Sequence, residues 1–314
     1  MSTEGSTRAV LAALLANTGI AVLKLVAWLL TGAASMLAEA IHSVADSGNQ
    51  GLLLLGGKRS RRAATEEHPF GYGRERYIYS FLVAIVLFSV GGLFALYEAY
   101  HKFHEVHAGH PNELLTSRWW WVPVVVLCGA IVMESFSFRT AIRESNHVRA
   151  GAPWVEFVRR AKTPELPVIL LEDLAALIGL VFAMLGVSLT KATGNGYFDV
   201  AGTAGIGLLL VAVAIILGVE TRSLLIGEAA SPAAQRRIAD ALASSAGIVR
   251  VVHVVTLHLG PEELLVGAKV TVVATSPAVD VVATIDAAEA AIRRAEPMAR
   301  VVYVEPAVEP DAGR

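Results

Sequence analysis

His42 and Asp46 stand four residues apart inside a stretch, residues 38–49, that otherwise has the character of a membrane-spanning helix. On a helix they lie about 40° apart on one face, and Ser35, Glu39 and Asn49 fall on the same side, which makes the polar stripe continuous. An imidazole and a carboxylate one turn apart can both reach one ion. Their nitrogen and oxygen atoms suit a borderline divalent cation such as zinc. Ionisable groups are costly inside a membrane helix and mark a pathway or a site. The alternative is a stripe that faces solvent or closes a buried polar network.

A second pair of charges, Glu172 and Asp173, sits in the apolar run 168–177. Adjacent helical residues point about 100° apart, so at most one of them naturally faces the same ion as His42 and Asp46. The other needs a separate partner, a proton or a local change of helix rotation. Glu98 and Glu134 lie within or near other apolar runs and are candidates to line a pathway or neutralise a neighbour. His101, His104, His107 and His110 recur at every third residue, a spacing that aligns imidazoles only if a helix continues through them. On a short helix they could collect metal, but Gly109 and Pro111 argue that no helix continues through His110, which favours a solvated loop with an accidental run. In the first apolar run, Asn17 suits an interhelical hydrogen bond or, less simply, a supporting contact to the polar stripe, and Lys24 is expected to snorkel toward the outer interface.

The elements that position these residues are membrane helices. Apolar residues make up 54% of the 314 and charged residues only 17%, with a mean hydropathy of +0.56. This is the composition of a membrane protein. Runs at about 8–30, 34–57, 77–101, 119–142, 167–190 and 198–221 are each long enough to cross a hydrocarbon core, which predicts six spans. Basic residues concentrate in 58–76 and 143–162, which places those loops, and with them both termini, in the cytoplasm. The net charge of −2 says little about partners, because the charges are segregated by region, and no nucleic-acid reading follows. Cys128, the only cysteine, reads as a small core residue and rules out an intrachain disulfide. The first run shows no signal cleavage pattern and reads as a retained helix. Pro164 and Pro167 suit the start of the fifth span. In the sixth, Asp199 reads as a cap or interface charge, and Gly202, Gly205 and Gly207 allow close helix contact.

The composition changes near Ser231. A helix over 232–245, strands over 249–257 and 264–274, a helix over 279–295 and a strand over 300–305 are predicted, with residues 260–263 turning the hairpin. This αββαβ order suits helices packed on one face of an antiparallel-rich sheet. The expected division is a six-helix transmembrane domain over 1–226 and a cytoplasmic domain over 227–314 with a flexible tail from about 307. His253 and His258 are the only histidines of the second domain, so dimerisation or support is favoured there over metal sensing.

Taken together, these features resemble the cation diffusion facilitator family. The resemblance rests on the six spans, the His42-xxx-Asp46 pair, the loop His68-Pro69-Phe70-Gly71-Tyr72-Gly73-Arg74-Glu75, Asp173 and the αββαβ tail. Segments 43–50 and 171–179 are similar to the zinc-transporting branch found in animal mitochondria. The resemblance implies a homodimer in the cell membrane with a ferredoxin-like cytoplasmic domain. It implies export of a divalent cation, zinc foremost, with manganese, cobalt and iron as other cargoes, in exchange for protons. No prosthetic group and no enzymatic activity follow from it. It also implies a midplane site with two ligands from the second span and two from the fifth. His42, Asp46 and Asp173 match that pattern, but Ile169 occupies the remaining position, leaving it to water or to Glu172. His68 matches a loop position that binds metal in some relatives, with Tyr72 where a second histidine can occur. Lys269 and Tyr303 stand near the places of tail ligands, and none of these outlying sites is carried over.

Metal binding requires neutral imidazole and ionised carboxylate, so an arriving cation displaces protons. Imidazole, with an ordinary pKa of about 6.5, suits that exchange. The missing histidine motivates a competing expectation, a non-transporting metal-binding subunit or scaffold that pairs with an active partner. An intramembrane metallo-enzyme is disfavoured, because no His-Glu-x-x-His stretch occurs.

Overall fold

The computed structural model describes the backbone of residues 3–31, 34–110, 115, 119–149 and 151–308. Side chains are described for the same set except 3–9, 27, 28, 30, 31, 34–39, 41 and 42. Two compact units emerge, one of residues 1–58 and 76–222 and the other of residues 59–75 and 223–314.

The first unit is helical: α1 (Thr3–Thr31), α2 (Ala34–Arg59), α3 (Glu75–His107), α4 (Trp121–Arg149), α5 (Trp154–Arg160), α6 (Glu165–Thr193) and α7 (Tyr197–Ile226). Each of the six apolar runs maps onto one long helix. Among the described residues, α3, α4, α6 and α7 are long and apolar enough to cross a membrane. Their outward faces carry exposed apolar side chains such as Val132, Phe136, Leu208 and Val219, as expected where lipid rather than water is the solvent. Cys128 is also exposed on α4, against the expectation of a core position. A small apolar side chain is as well accommodated by lipid as by a helix neighbour.

Local chemistry explains where the helices stop. Pro164 caps the start of α6, and Gly194, at φ +71°, ends it in the left-handed conformation with its N–H on Thr190 O at 2.9 Å. α3 ends at His107, after which Gly109 turns at φ +78° and His110 N donates to Glu105 O at 3.0 Å. His101, His104 and His107 thus lie on the helix rather than in the expected loop, His110 lies beyond it, and all four are exposed. Asn195 caps α7 by accepting from Tyr197 N at 3.0 Å. Asp199 instead lies in the first turn and pairs with Lys102 at 3.2 Å, the interface-charge role.

Glycines set the closest helix approach. A Cβ added to Gly202 would lie 2.8 Å from the backbone oxygen of Phe182, so α6 and α7 touch there backbone to backbone. Gly202→Val should destabilise the chain by about 1–3 kcal/mol through this overpacking, read as a lower thermal midpoint in detergent. An unchanged midpoint would contradict the contact. Within α3, residues Leu87–Leu93 form a π-helical segment, and Gly92 within it faces Val211 of α7.

In the second unit the order is α8 (Pro232–Ala243), β1 (Ile248–Gly260), β2 (Glu263–Val272), α9 (Ala278–Ala295) and β3 (Ala299–Val308). Ser231 Oγ accepts from Ala234 N at 3.2 Å and caps α8. The strand order is β1-β2-β3, with β1 antiparallel and β3 parallel to β2. The sheet is therefore mixed rather than antiparallel-rich. A tight hairpin forces the first pairing, whereas the helical crossover through α9 permits the parallel one. Leu264, Val266, Ala268 and Val270 alternate into a core with Ile238 and Leu242 of α8 and Ala288 and Ile292 of α9. Residues 307 and 308, where the sequence suggests that a tail begins, belong to β3, and 309–314 lie outside the described residues.

Residues 59–75 fold against this unit. Gly73 needs its missing side chain, since a Cβ would meet Leu259 O at 2.8 Å. A tight turn follows His68, with Gly71 N donating to His68 O at 2.9 Å and Gly71 at φ +78°. The His68 ring packs edge-on against Tyr72, 4.7 Å between centroids. On the sheet, His253 pairs across to Lys269 and Lys269 to Glu305. Lys269 Nζ donates to Glu305 Oε1 at 2.7 Å, and that hydrogen bond and charge, with a smaller contribution from His253, hold the Glu305 carboxyl below its ordinary range. The folded value is the lowered one, so any stabilisation is present above the ordinary carboxylate pKa and is lost as pH falls through the lowered one. The pair is exposed, and the effect is correspondingly small.

Candidate functional site

The stripe on α2 turns inward. Ser43, Asp46, Asn49 and Gln50 are all buried while Val44, between them in sequence, is exposed, as a 3.6-residue period requires. The side chain of His42 lies outside the described residues, although its backbone continues the helix.

Opposite α2 stands α6, on which Glu172 and Asp173 are both buried, and the two carboxylates have different surroundings. Glu172 Oε1 accepts from Asn49 Nδ2 at 2.9 Å and Oε2 from Gln50 Nε2 at 3.1 Å, so both its oxygens are held by amides of α2. Asp173 points toward α4, where Ser137 Oγ donates to its Oδ2 at 2.8 Å. Its Oδ1 has no fixed donor among the described residues. Of the alternatives that the adjacency of the two carboxylates leaves open, Glu172 has a separate partner, the amide pair of α2.

Glu134 joins the same group from α4. It is 2% exposed and interacts electrostatically with Asp173. Asp46 interacts electrostatically with Glu134, Glu172 and Asp173. Four carboxylates from three helices thus share one buried region. Their mutual repulsion, and the cost of removing each from water, demand cations or protons among them.

A cavity of about 40 Å³ is lined by Asn17 and Lys24 of α1, Ser43 and Asp46 of α2, Glu134 of α4 and an apolar stretch of α6 around Gly179, so it reaches Asp46 and Glu134 but is not lined by Glu172 or Asp173. It is large enough for a small cation with a water molecule. Lys24 does not snorkel outward, contrary to expectation. It is 3% exposed and donates from Nζ to Ser43 Oγ at 2.9 Å. The carboxylates supply the counter-charge that makes the inward rotamer the favourable one. Asn17 lines the cavity, and Glu98 is half-buried on α3, away from it. Among the described residues, no three His, Cys, Asp or Glu side chains are gathered closely enough to grip one ion.

Ile169 is fully buried, packed with Leu166 and Val168 in the apolar core. The contributions of Gln50 and Ser137 are not foreseen in the sequence reading. The available signal is spacing: Gln50 is one turn beyond Asp46, and Ser137 is three residues beyond Glu134.

Residues 10–226 match the profile of the cation efflux transmembrane domain. The chain is 34% identical over 256 residues to a protein of Xenopus laevis named "Proton-coupled zinc antiporter SLC30A9, mitochondrial", covering 81% of this chain and 44% of that one. The human protein of the same name is 32% identical over 252 residues, covering 80% and 43%. "Metal tolerance protein C4" of Arabidopsis thaliana is 32% identical over 228 residues, covering 72% and 48%. The chain spans less than half the length of each of these relatives.

Proposed function

Because the chain belongs to the cation efflux family, a family of membrane transporters and not of enzymes, we propose that it exports a divalent cation from the cytoplasm in exchange for protons. Zinc is the foremost cargo, as the names of the relatives suggest, with manganese, cobalt and iron as the ions to compare. The observation that carries this reading is the buried carboxylate group of Asp46, Glu134, Glu172 and Asp173, two of which, Asp46 and Glu134, line a cavity of ionic size. Such a group is balanced either by a metal cation or by protons, and alternation between the two is antiport.

In this reading His42, Asp46 and Asp173 hold the ion. Glu134 adds negative charge to the cavity wall from α4, and Glu172, with its amide partners, holds α2 against α6. Six membrane crossings, cytoplasmic termini, a ferredoxin-like second domain and a homodimer complete the proposal, in the cell membrane. The excess of Lys and Arg in 58–76 and 143–162 supports the orientation.

The test is zinc uptake by the purified chain in proteoliposomes under an imposed pH gradient. Uptake that rises with the gradient and is lost when it collapses is the expected result. No flux of zinc, manganese, cobalt or iron through folded protein would favour the second reading, a metal-binding subunit that needs an active partner. Burial of the apolar Ile169 at a ligand position is the observation on that side.

A further inference from the structure

We propose that Lys24 is a tethered cation at the wall of the transport cavity that an entering metal must push aside, which makes it a positioning residue that sets cargo affinity and release. The inference rests on the transport reading and concerns a residue of α1, outside the ligand set. Lys24 is 3% exposed in an apolar helix, a costly place for an ammonium group. It lines the same cavity as Asp46 and Glu134 and attracts the Glu134 carboxylate electrostatically. A hydrogen bond of 2.9 Å to Ser43, one turn before Asp46 on α2, holds its Nζ at the cavity wall.

The physical consequence is competition. A divalent ion entering the cavity meets a positive charge already there, and the two repel across a medium of low dielectric. Metal therefore binds more weakly than to the carboxylates alone, and the returning ammonium helps expel it. A purely structural lysine, holding α1 to α2 through Ser43, would predict no gain in metal affinity on removal. The two roles are thus separable by the sign of one measurement.

The experiment uses the full chain in detergent and in proteoliposomes. Zinc affinity is measured by competition with a fluorescent chelator for wild type, Lys24→Gln and Lys24→Arg. Lys24→Gln should bind zinc at least about tenfold more tightly, with KM for zinc uptake lowered and kcat lowered as release slows. Lys24→Arg, which keeps the charge, should stay within about threefold of wild type. Lys24→Met, which keeps the apolar stem, serves if the glutamine variant does not fold. Unchanged or weaker zinc binding by the uncharged variants, with wild-type binding and flux intact, overturns this role while leaving the transport reading in place. Absence of zinc binding by folded wild type overturns both.

Discussion

Asp46→Asn and Asp173→Asn should each lower gradient-driven zinc uptake by at least about a hundredfold while leaving the chain folded. An amide has the shape of the carboxylate it replaces but is neutral and a much poorer metal ligand, and changes at groups that merely orient ligands already cost 10–100-fold. Folding is expected to survive because each substitution removes one negative charge from a buried group of four carboxylates. In the Asp173→Asn variant the hydroxyl of Ser137 can still donate to the oxygen of the new amide, so the contact that measures 2.8 Å in the native chain is preserved. Uptake is measured in proteoliposomes alongside a thermal melt of the same preparation. Robust transport by both variants would remove these residues from the ion's path and return the carboxylate group to a packing role.

Arg76→Ala should destabilise the chain by about 3–5 kcal/mol. Arg76, at the start of α3, and Glu165, at the start of α6, form an ion pair with side chains only 8% and 4% exposed. The second carboxylate oxygen, Glu165 Oε2, has no hydrogen-bond partner among the described residues. Removing the guanidinium leaves a buried carboxylate with neither charge nor donor to compensate it, which is the costly half of breaking a buried pair. Replacing both partners, as in Arg76→Met with Glu165→Leu, should recover most of the loss, because no orphaned charge remains. Thermal midpoints of the full chain in detergent decide the matter. A double variant as unstable as Arg76→Ala would mean that the site depends on the pair for shape rather than for charge balance.

Much of this arrangement is legible in one dimension because it is local. Apolar runs of helical length, basic residues between alternate runs and a switch to strand periodicity near Ser231 are properties of neighbouring residues, and the runs and the strand pattern are each matched by elements of the structure. The inward face of α2 follows in the same way, since Ser43, Asp46, Asn49 and Gln50 share one side of any helix built from that sequence. The adjacency of Glu172 and Asp173 likewise determined that they could not both look at one partner.

What only the tertiary structure decided is which helix each group meets. Lys24 reads in the sequence as a residue that reaches for the membrane surface, because its own helix offers it no counter-charge, and it turns inward only because α2 and α4 bring Ser43, Asp46 and Glu134 to its side. Glu134 is one acidic residue in an apolar run until α4 packs on α6 and sets it beside Asp173. Gln50 and Asn49 become a clamp on Glu172 across 122 and 123 residues of chain. Helical periodicity fixes the direction of a side chain relative to its own axis, but the partner it finds depends on how helices rotate and cross, and that is settled by packing among segments far apart in sequence.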